Sequence, residues 1–100
     1  MALVTARLER ALARSAADAG TMLAVERHDV VEWHSATFAG DRHRLFASAT
    51  SGERLDAWLA RVDTLDLAMP GHVIADLKVS ACERLGDVTR FRIDGLTVAT

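Results

Sequence analysis

The sequence contains one cysteine and no long apolar run, and each of these limits excludes a class of protein. Cys82 alone cannot form an intramolecular disulfide, which favours a reducing compartment. No stretch approaches the ~20 apolar residues that a membrane-spanning helix needs. The first apolar run is broken by charge at Arg7, so it lacks the longer apolar stretch of a secretory signal. We therefore expect a cytoplasmic protein that does not bind a membrane.

The chain also lacks a strong excess of charge of either sign. Twelve Lys and Arg residues against fourteen Asp and Glu residues give a net charge of −2 with neutral histidines. Such a chain has no general electrostatic attraction to nucleic acid, and we interpret Arg7, Arg10 and Arg14 as a solvated helix face. The single proline, Pro70, lies in a turn-like stretch, and neither a linker nor a repeat is visible. Residues 1–100 are therefore predicted to form a single domain.

Motifs for catalysis and for cofactor binding are missing as well. The six glycines stand singly, so they do not form a phosphate-binding loop. One cysteine and four scattered histidines do not supply the close ligand spacing of a zinc site. Cys82 as a nucleophile would need an oriented base, and we interpret it as an ordinary reduced thiol. We expect no cofactor and no metal, and a protein that is not an enzyme is favoured.

Two segments have the periodicity of amphipathic helices. The first runs from Ala2 to Ala19, with Gly20 as its stop, and its apolar stripe consists of Val4, Leu8, Ala11, Leu12 and Ser15 or Ala16. The second follows residues 50–53, which match a capping box formed by Thr50 and Glu53. Its apolar stripe has the spacing i, i+3, i+4 and i+7 and consists of Leu55, Trp58, Leu59 and Val62.

Polar and apolar residues alternate over 31–38 and again over 42–49, which predicts a β-hairpin around the loop Ala39-Gly40-Asp41. If Phe38 pairs with Arg42, the helix-covered face carries Val31, Trp33, Ser35, Thr37, His43, Leu45, Ala47 and Ala49. The opposite face then carries polar residues with two aromatic rings among them. Its candidate functional residues are Glu32, His34, Arg44, Phe46 and Phe38.

A second hairpin is predicted around a turn at Gly86-Asp87. In its returning strand the alternation changes phase at Asp94-Gly95, and a β-bulge there would bring Phe91, Ile93, Leu96 and Val98 onto the core face. Residues 22–27 either form a further short strand or extend the first helix. The prediction is an α+β two-layer sandwich of the order α-β-β-β-α-β-β, with two helices on one face of an antiparallel sheet of four to five strands.

This element order resembles that of the small acidic dimeric chaperones of bacterial secretion systems, which usually add a final helix. The resemblance is limited to the order of the elements, so it implies no site residues.

Two hypotheses about function follow from the predicted face. The first is a small interaction module that binds a second copy of itself, or another protein, through its sheet face or a strand edge. Phe38 and Phe46 in a polar frame motivate this hypothesis. The second is a small enzyme or ligand-binding protein with Glu32, His34 and Arg44 as its site, since a histidine beside a carboxylate can act as a base.

Overall fold

In the computed structural model, which describes residues 2–100, two helices cover one face of a four-stranded antiparallel sheet with the strand order β1-β2-β4-β3. The predicted α+β class and its two layers are confirmed, with one strand fewer than the predicted order. Neither helix within residues 2–100 has both the length and the apolar composition for crossing a membrane. The elements are α1 Ala2–Asp18, β1 Ala24–His34, β2 Ala39–Thr50, α2 Glu53–Leu59, a 3-10 helix Val62–Thr64, β3 His72–Leu85 and β4 Val88–Ala99.

The core lies between the helices and one face of the sheet. Trp58 of α2 is fully buried, meets the ring of Phe91 edge-on at 6.3 Å, and donates a hydrogen bond from Nε1 to Ser15 Oγ on α1 at 3.0 Å. This contact ties both helices to the sheet. The periodicity of both helices is confirmed by the buried residues, which are Val4, Leu8, Leu12, Ala16, Leu55, Trp58 and Val62 on the helical side and Leu45, Ala47, Ala49, Leu77, Phe91 and Ile93 on the sheet.

The predicted cap of α2 is wrong: a capping box at Thr50 and Glu53 places the first helical residue at Ser51, whereas the helix begins at Glu53. Gly52 is the N-cap residue and makes no side-chain capping bond, because Thr50 is still the last residue of β2. Ser51 instead bonds through Oγ to the hydroxyl of Thr89 at 2.7 Å. Pairing of β2 with β4 therefore takes precedence over the local capping motif.

The predicted position of the first hairpin loop is also wrong. Residues 35–38 connect the strands, and Ala39 and Gly40 already belong to β2. Gly40 is not a turn residue: a Cβ atom there would lie 2.1 Å from the carbonyl oxygen of Thr97 and 2.9 Å from Trp33 Nε1. The glycine is required by the close approach of β4 and of an indole ring. The loop is closed by Ser35, whose amide donates to the Phe38 carbonyl at 2.8 Å.

The new loop position exchanges the two faces of β1. Val30 pairs with His43 and Val31 with Arg42, so the predicted register is displaced by an odd number of residues. Successive side chains of a strand point to opposite faces, and an odd displacement therefore moves every side chain of β1 to the other side. Trp33 lies on the face away from the helices and not in the core, which corrects its predicted burial. Residues 24–27 belong to β1 itself rather than to a separate strand.

In the second hairpin, the turn at Gly86-Asp87 is confirmed, with Gly86 at φ 65°. The predicted bulge in β4 is wrong, because β4 pairs with β2 without any shift of register. The irregularities lie in β3, between Ile74 and Asp76 and between Val79 and Ala81. Leu96 and Val98 therefore lie on the face away from the helices, which corrects their predicted position on the core face, while His72 and Ile74 lie on the helix side.

Candidate functional site

The sheet face away from the helices, called the open face below, has an apolar row that crosses all four strands. Trp33 pairs with Gly40, and Gly40 pairs with Val98 on β4. Val98 in turn pairs with Val73 on β3. Val73 is 53% exposed, and Val31 in the adjacent row is 63% exposed. Apolar side chains of β1, β4 and β3 thus lie in one row at this end of the open face, which is typical of an interaction surface.

A charged row crosses the same face two rows further along. Asp29 pairs with Arg44 on β2, and Arg44 pairs with Asp94 on β4. Asp94 in turn pairs with Lys78 on β3. The charges therefore alternate in sign from one edge of the sheet to the other. Opposite charges on neighbouring strands stabilise each other by about 0.2–1 kcal/mol per pair.

Asp94 holds the middle of the charged row in place. Its Oδ2 atom accepts a hydrogen bond from Ser80 Oγ at 2.6 Å. Its Oδ1 atom lies 3.2 Å from Arg92 Nε and 3.8 Å from Arg44 Nε. Two guanidinium groups thus share one carboxylate, so the charged row is a network rather than a set of isolated surface pairs.

Phe46 lies on the open face beyond the charged row. The guanidinium carbon of Arg27 is 5.6 Å from the centre of its ring, a cation–π contact. Phe46 also pairs with Arg92 of β4. Around it is a shallow depression of about 440 Å³, lined on its polar side by Glu26, Arg90 and Arg92. An aromatic ring framed by charges therefore extends the candidate surface away from the apolar row.

The structure separates the five site residues that the sequence singled out. Arg44 and Phe46 lie on the open face, where they were predicted. Glu32 and His34 lie on the other face, since β1 is turned over relative to the predicted register. Phe38 lies in the loop between β1 and β2 and is 58% exposed. Because Arg44 is on the opposite side of the sheet from Glu32 and His34, the structure does not bring together the predicted Glu/His/Arg trio.

No protein-family model, curated protein or solved structure matches the chain. Within residues 2–100, no group of three or more His, Cys, Asp or Glu side chains is arranged to hold a metal ion. The candidate sites therefore rest on the geometry of the two faces of the sheet alone.

The helix side of the sheet contains a hydrogen-bonded chain of four side chains, called the imidazole network below. Glu9 Oε2 on α1 lies 2.8 Å from His28 Nδ1, and His28 Nε2 lies 2.9 Å from His43 Nδ1. His43 Nε2 lies 2.8 Å from Thr97 Oγ1. With both rings neutral, all three hydrogen bonds can form at once. The Thr97 hydroxyl donates to His43 Nε2, and His43 Nδ1 donates to His28 Nε2. His28 Nδ1 then donates to the Glu9 carboxylate. The network thus joins α1 to three strands.

Burial sets the protonation state of the inner ring of this network. His43 is only 3% exposed. Its pKa is lowered from 6.5 to about 4, chiefly by burial and next by repulsion from His28. Asp41 acts in the opposite direction, and His72 lowers the pKa further. His43 is therefore neutral at pH 7, which agrees with its role as a hydrogen-bonded link between β2 and β4.

A cleft of about 880 Å³ between α1 and the sheet gives solvent access to one end of the imidazole network. The Glu9 side chain is 33% exposed, whereas that of His28 is 4% exposed. Thr97, at the other end, is fully buried and is not accessible as a nucleophile. The lining residues are Leu3, Val4, Thr5, Ala6, Glu9, His28, Val30, Glu32, Asp41 and His72.

The sequence-based prediction missed the imidazole network because of the hairpin loop. A loop at 39–41 makes His43 the second residue after a turn and leaves His28 in a separate polar turn. In the observed register His28 pairs with Leu45 and Val30 pairs with His43, so the two histidines are diagonal neighbours on one face. Only the correct pairing register of β1 with β2 would have predicted that these two histidines are neighbours.

Proposed function

We propose that the protein is a non-enzymatic interaction module that forms a homodimer through its open face. The observation that supports this proposal is the apolar row, which lies at one end of the sheet and is separated from the charged row by Val31, Arg42, Leu96 and Asp76. Exposed apolar surface bordered by polar side chains is typical of protein interaction sites. The helices cover only the other face of the sheet, so burial of the apolar row requires a second molecule.

The face is favoured over the strand edges, which were the other option. β1 and β3 are the outer strands, and both are irregular. β1 has a bulge between Val25 and Arg27, and β3 has two. Bulges in edge strands twist the free backbone groups away from a straight line and so oppose strand addition from another chain. The face offers side chains instead of backbone groups and is not affected by these bulges.

The proposed location is the cytoplasm. The support is chemical: Cys82 is a free, exposed thiol, which remains reduced in a reducing compartment.

The dimer is tested by measuring the mass of the protein in solution with a variant that changes the apolar row. Val73 is exposed, so Val73→Glu has little effect on folding but introduces a charge into the proposed interface. We expect the unchanged protein to be a dimer at micromolar concentration and Val73→Glu to raise the dissociation constant at least ~10-fold, because the charge is desolvated on binding. Sedimentation equilibrium measures both.

Met22→Glu is the matched control, since Met22 is 83% exposed and lies in the connection between α1 and β1. It introduces the same charge outside the open face, and we expect it to leave the dissociation constant unchanged. A protein that stays monomeric at 100-fold higher concentration than the expected dissociation constant would overturn the homodimer and leave the open face to a different protein partner.

A further inference from the structure

The order of charges on the open face contains information about how two copies fit together. Read from β1 to β3, the charged row is Asp29, Arg44, Asp94 and Lys78, with the signs minus, plus, minus, plus. A row with this alternation is complementary to its own reversed copy. A reversed copy is what a twofold rotation about an axis parallel to the strands provides, because it places β1 of one subunit over β3 of the other.

We infer that two subunits pack open face to open face around a twofold axis parallel to the strands and between β2 and β4, so that Asp29 faces the partner's Lys78 and Arg44 faces the partner's Asp94. This inference rests on the proposed homodimer and specifies its geometry. Each of the two contacts occurs twice in the dimer because of the symmetry. All four charges of each row then meet an opposite charge.

The apolar row and the row of Phe46 fit the same axis. In the row between the apolar and charged rows, the axis places Val31 opposite the partner's Asp76 and Arg42 opposite the partner's Leu96, so these two charges gain no opposite charge. In the apolar row, Trp33 faces the partner's Val73, so an apolar side chain meets an apolar side chain, and the Trp33 ring covers Gly40. Beyond the charged row, Phe46 faces the partner's Arg92, which is a favourable pairing of an aromatic ring with a guanidinium group. Sheets that pack face to face keep their strands within about 30° of one another, which an axis parallel to the strands allows.

The alternative twofold axis, perpendicular to the strands and in the plane of the interface, gives the opposite result. It places each strand over its own copy. When it passes through the charged row, Asp29 meets the partner's Asp29 and Arg44 meets the partner's Arg44. Like charges held together in an interface cost free energy and suppress that arrangement. Among arrangements that bring the two charged rows together, the alternation of charge therefore favours the axis parallel to the strands.

Asp29 and Lys78 cannot meet within one subunit, so an interaction between them reports on the dimer. They lie on the two outer strands of the sheet, three strand spacings or about 14 Å apart. Within its own subunit Asp29 forms an ion pair with Arg27 at 3.0 Å, so the comparison that matters is the double variant against both single variants. Asp29→Lys places like charges at both copies of the contact, and so does Lys78→Asp. The double variant Asp29→Lys with Lys78→Asp restores opposite charges, but only if the two residues face each other across subunits.

The experiment is sedimentation equilibrium of the full chain at low salt, comparing both single variants with the double variant. We expect each single variant to raise the dissociation constant roughly 10-fold, the size of effect that two rim ion pairs allow. The double variant should return to within about threefold of the unchanged protein. Added salt should reduce the differences, since exposed ion pairs are screened.

Asp63→Lys is the control for net charge, because Asp63 is exposed in the 3-10 helix and its substitution changes the charge by the same amount as Asp29→Lys. We expect no change in its dissociation constant.

The possible failures separate the two proposals. A dimer that is insensitive to both single variants, that is not restored by the double variant, or that weakens equally in the control overturns the orientation and leaves the homodimer intact. A monomeric unchanged protein overturns the homodimer itself.

Discussion

At the scale of single residues, Gly40 determines more of this structure than any sequence motif suggests. Beside Asp41 it resembles a turn residue, because Gly-Asp pairs are common in tight hairpin loops. Its actual role is to let β4 and the Trp33 ring approach the backbone of β2 at distances that a Cβ atom would prevent. The sequence shows that a glycine is present but not which neighbour requires it, and this ambiguity displaced the predicted register of the hairpin.

Gly40→Ala tests this role directly. The added Cβ atom would lie 2.1 Å from a backbone oxygen of β4, so the central strand pair must move apart. We expect a loss of at least ~2 kcal/mol in the free energy of unfolding, in the range of a strongly overpacked site. Urea denaturation followed by tryptophan fluorescence measures it.

Gly52→Ala is the matched control, because nothing lies within 4 Å of a Cβ atom at that position. We expect its effect to stay below about 1 kcal/mol. Equal losses in the two variants would contradict the packing explanation for Gly40.

At the scale of elements, the helices were predictable and the faces of the strands were not. An amphipathic helix shows its buried stripe through a repeat of three and four residues, which is why Leu8 and Trp58 were placed correctly. A strand shows only that its two faces differ, and which face is buried depends on its pairing. Leu96 and Val98 continue the open face because β4 runs straight along β2 and the bulges lie in β3. The positions of Leu96 and Val98 on the open face could therefore be assigned only from the structure.

The connection into α2 gives a test at this scale. Thr50→Ala should change the free energy of unfolding by less than about 0.5 kcal/mol, because Thr50 is exposed and does not cap the helix. Ser51→Ala should cost about 1 kcal/mol, since it leaves the buried hydroxyl of Thr89 without its 2.7 Å partner. Denaturant melts of both variants measure these changes. A loss of about 1 kcal/mol in Thr50→Ala would show that Thr50 caps the helix after all.

At the scale of the whole molecule, the imidazole network joins parts of the chain that are far apart in sequence. Glu9 lies in α1, and Thr97 lies near the end of β4. Between them, two buried rings provide the polar contacts of the helix side. Burial of the inner ring makes the stability of the whole fold depend on pH.

The pKa of His43 in the folded protein, about 4, lies below the value of 6.5 for an unperturbed histidine. Above pH 6.5 His43 is neutral in both the folded and the unfolded state, so its protonation does not reduce the free energy of unfolding there. Between pH 6.5 and 4 the unfolded chain takes up a proton that the folded protein does not. The free energy of unfolding therefore decreases as the pH is lowered across this window, by about 3 kcal/mol in total.

Urea denaturation at steps from pH 7.5 to pH 4 measures this loss. His43→Gln removes the titrating group, so the variant should lose about 3 kcal/mol less than the unchanged protein over the same range. His34→Gln is the control for the loss of an imidazole outside the imidazole network, because His34 is exposed. Identical pH dependence in all three proteins would contradict the burial of a neutral His43.

The strand order β1-β2-β4-β3 also leads to a prediction about the order of events in folding. β1 and β2 are joined by a short loop, as are β3 and β4, so each outer pair is a hairpin of neighbouring segments. Isolated hairpins form within about 1–10 μs. The central pairing joins Gly40 to Val98 and Thr50 to Val88, and it must close a loop that contains α2 and the whole of β3. Loop-closure entropy opposes this step until both strands are ready. We therefore expect the pairing of β2 with β4 to limit the rate of folding.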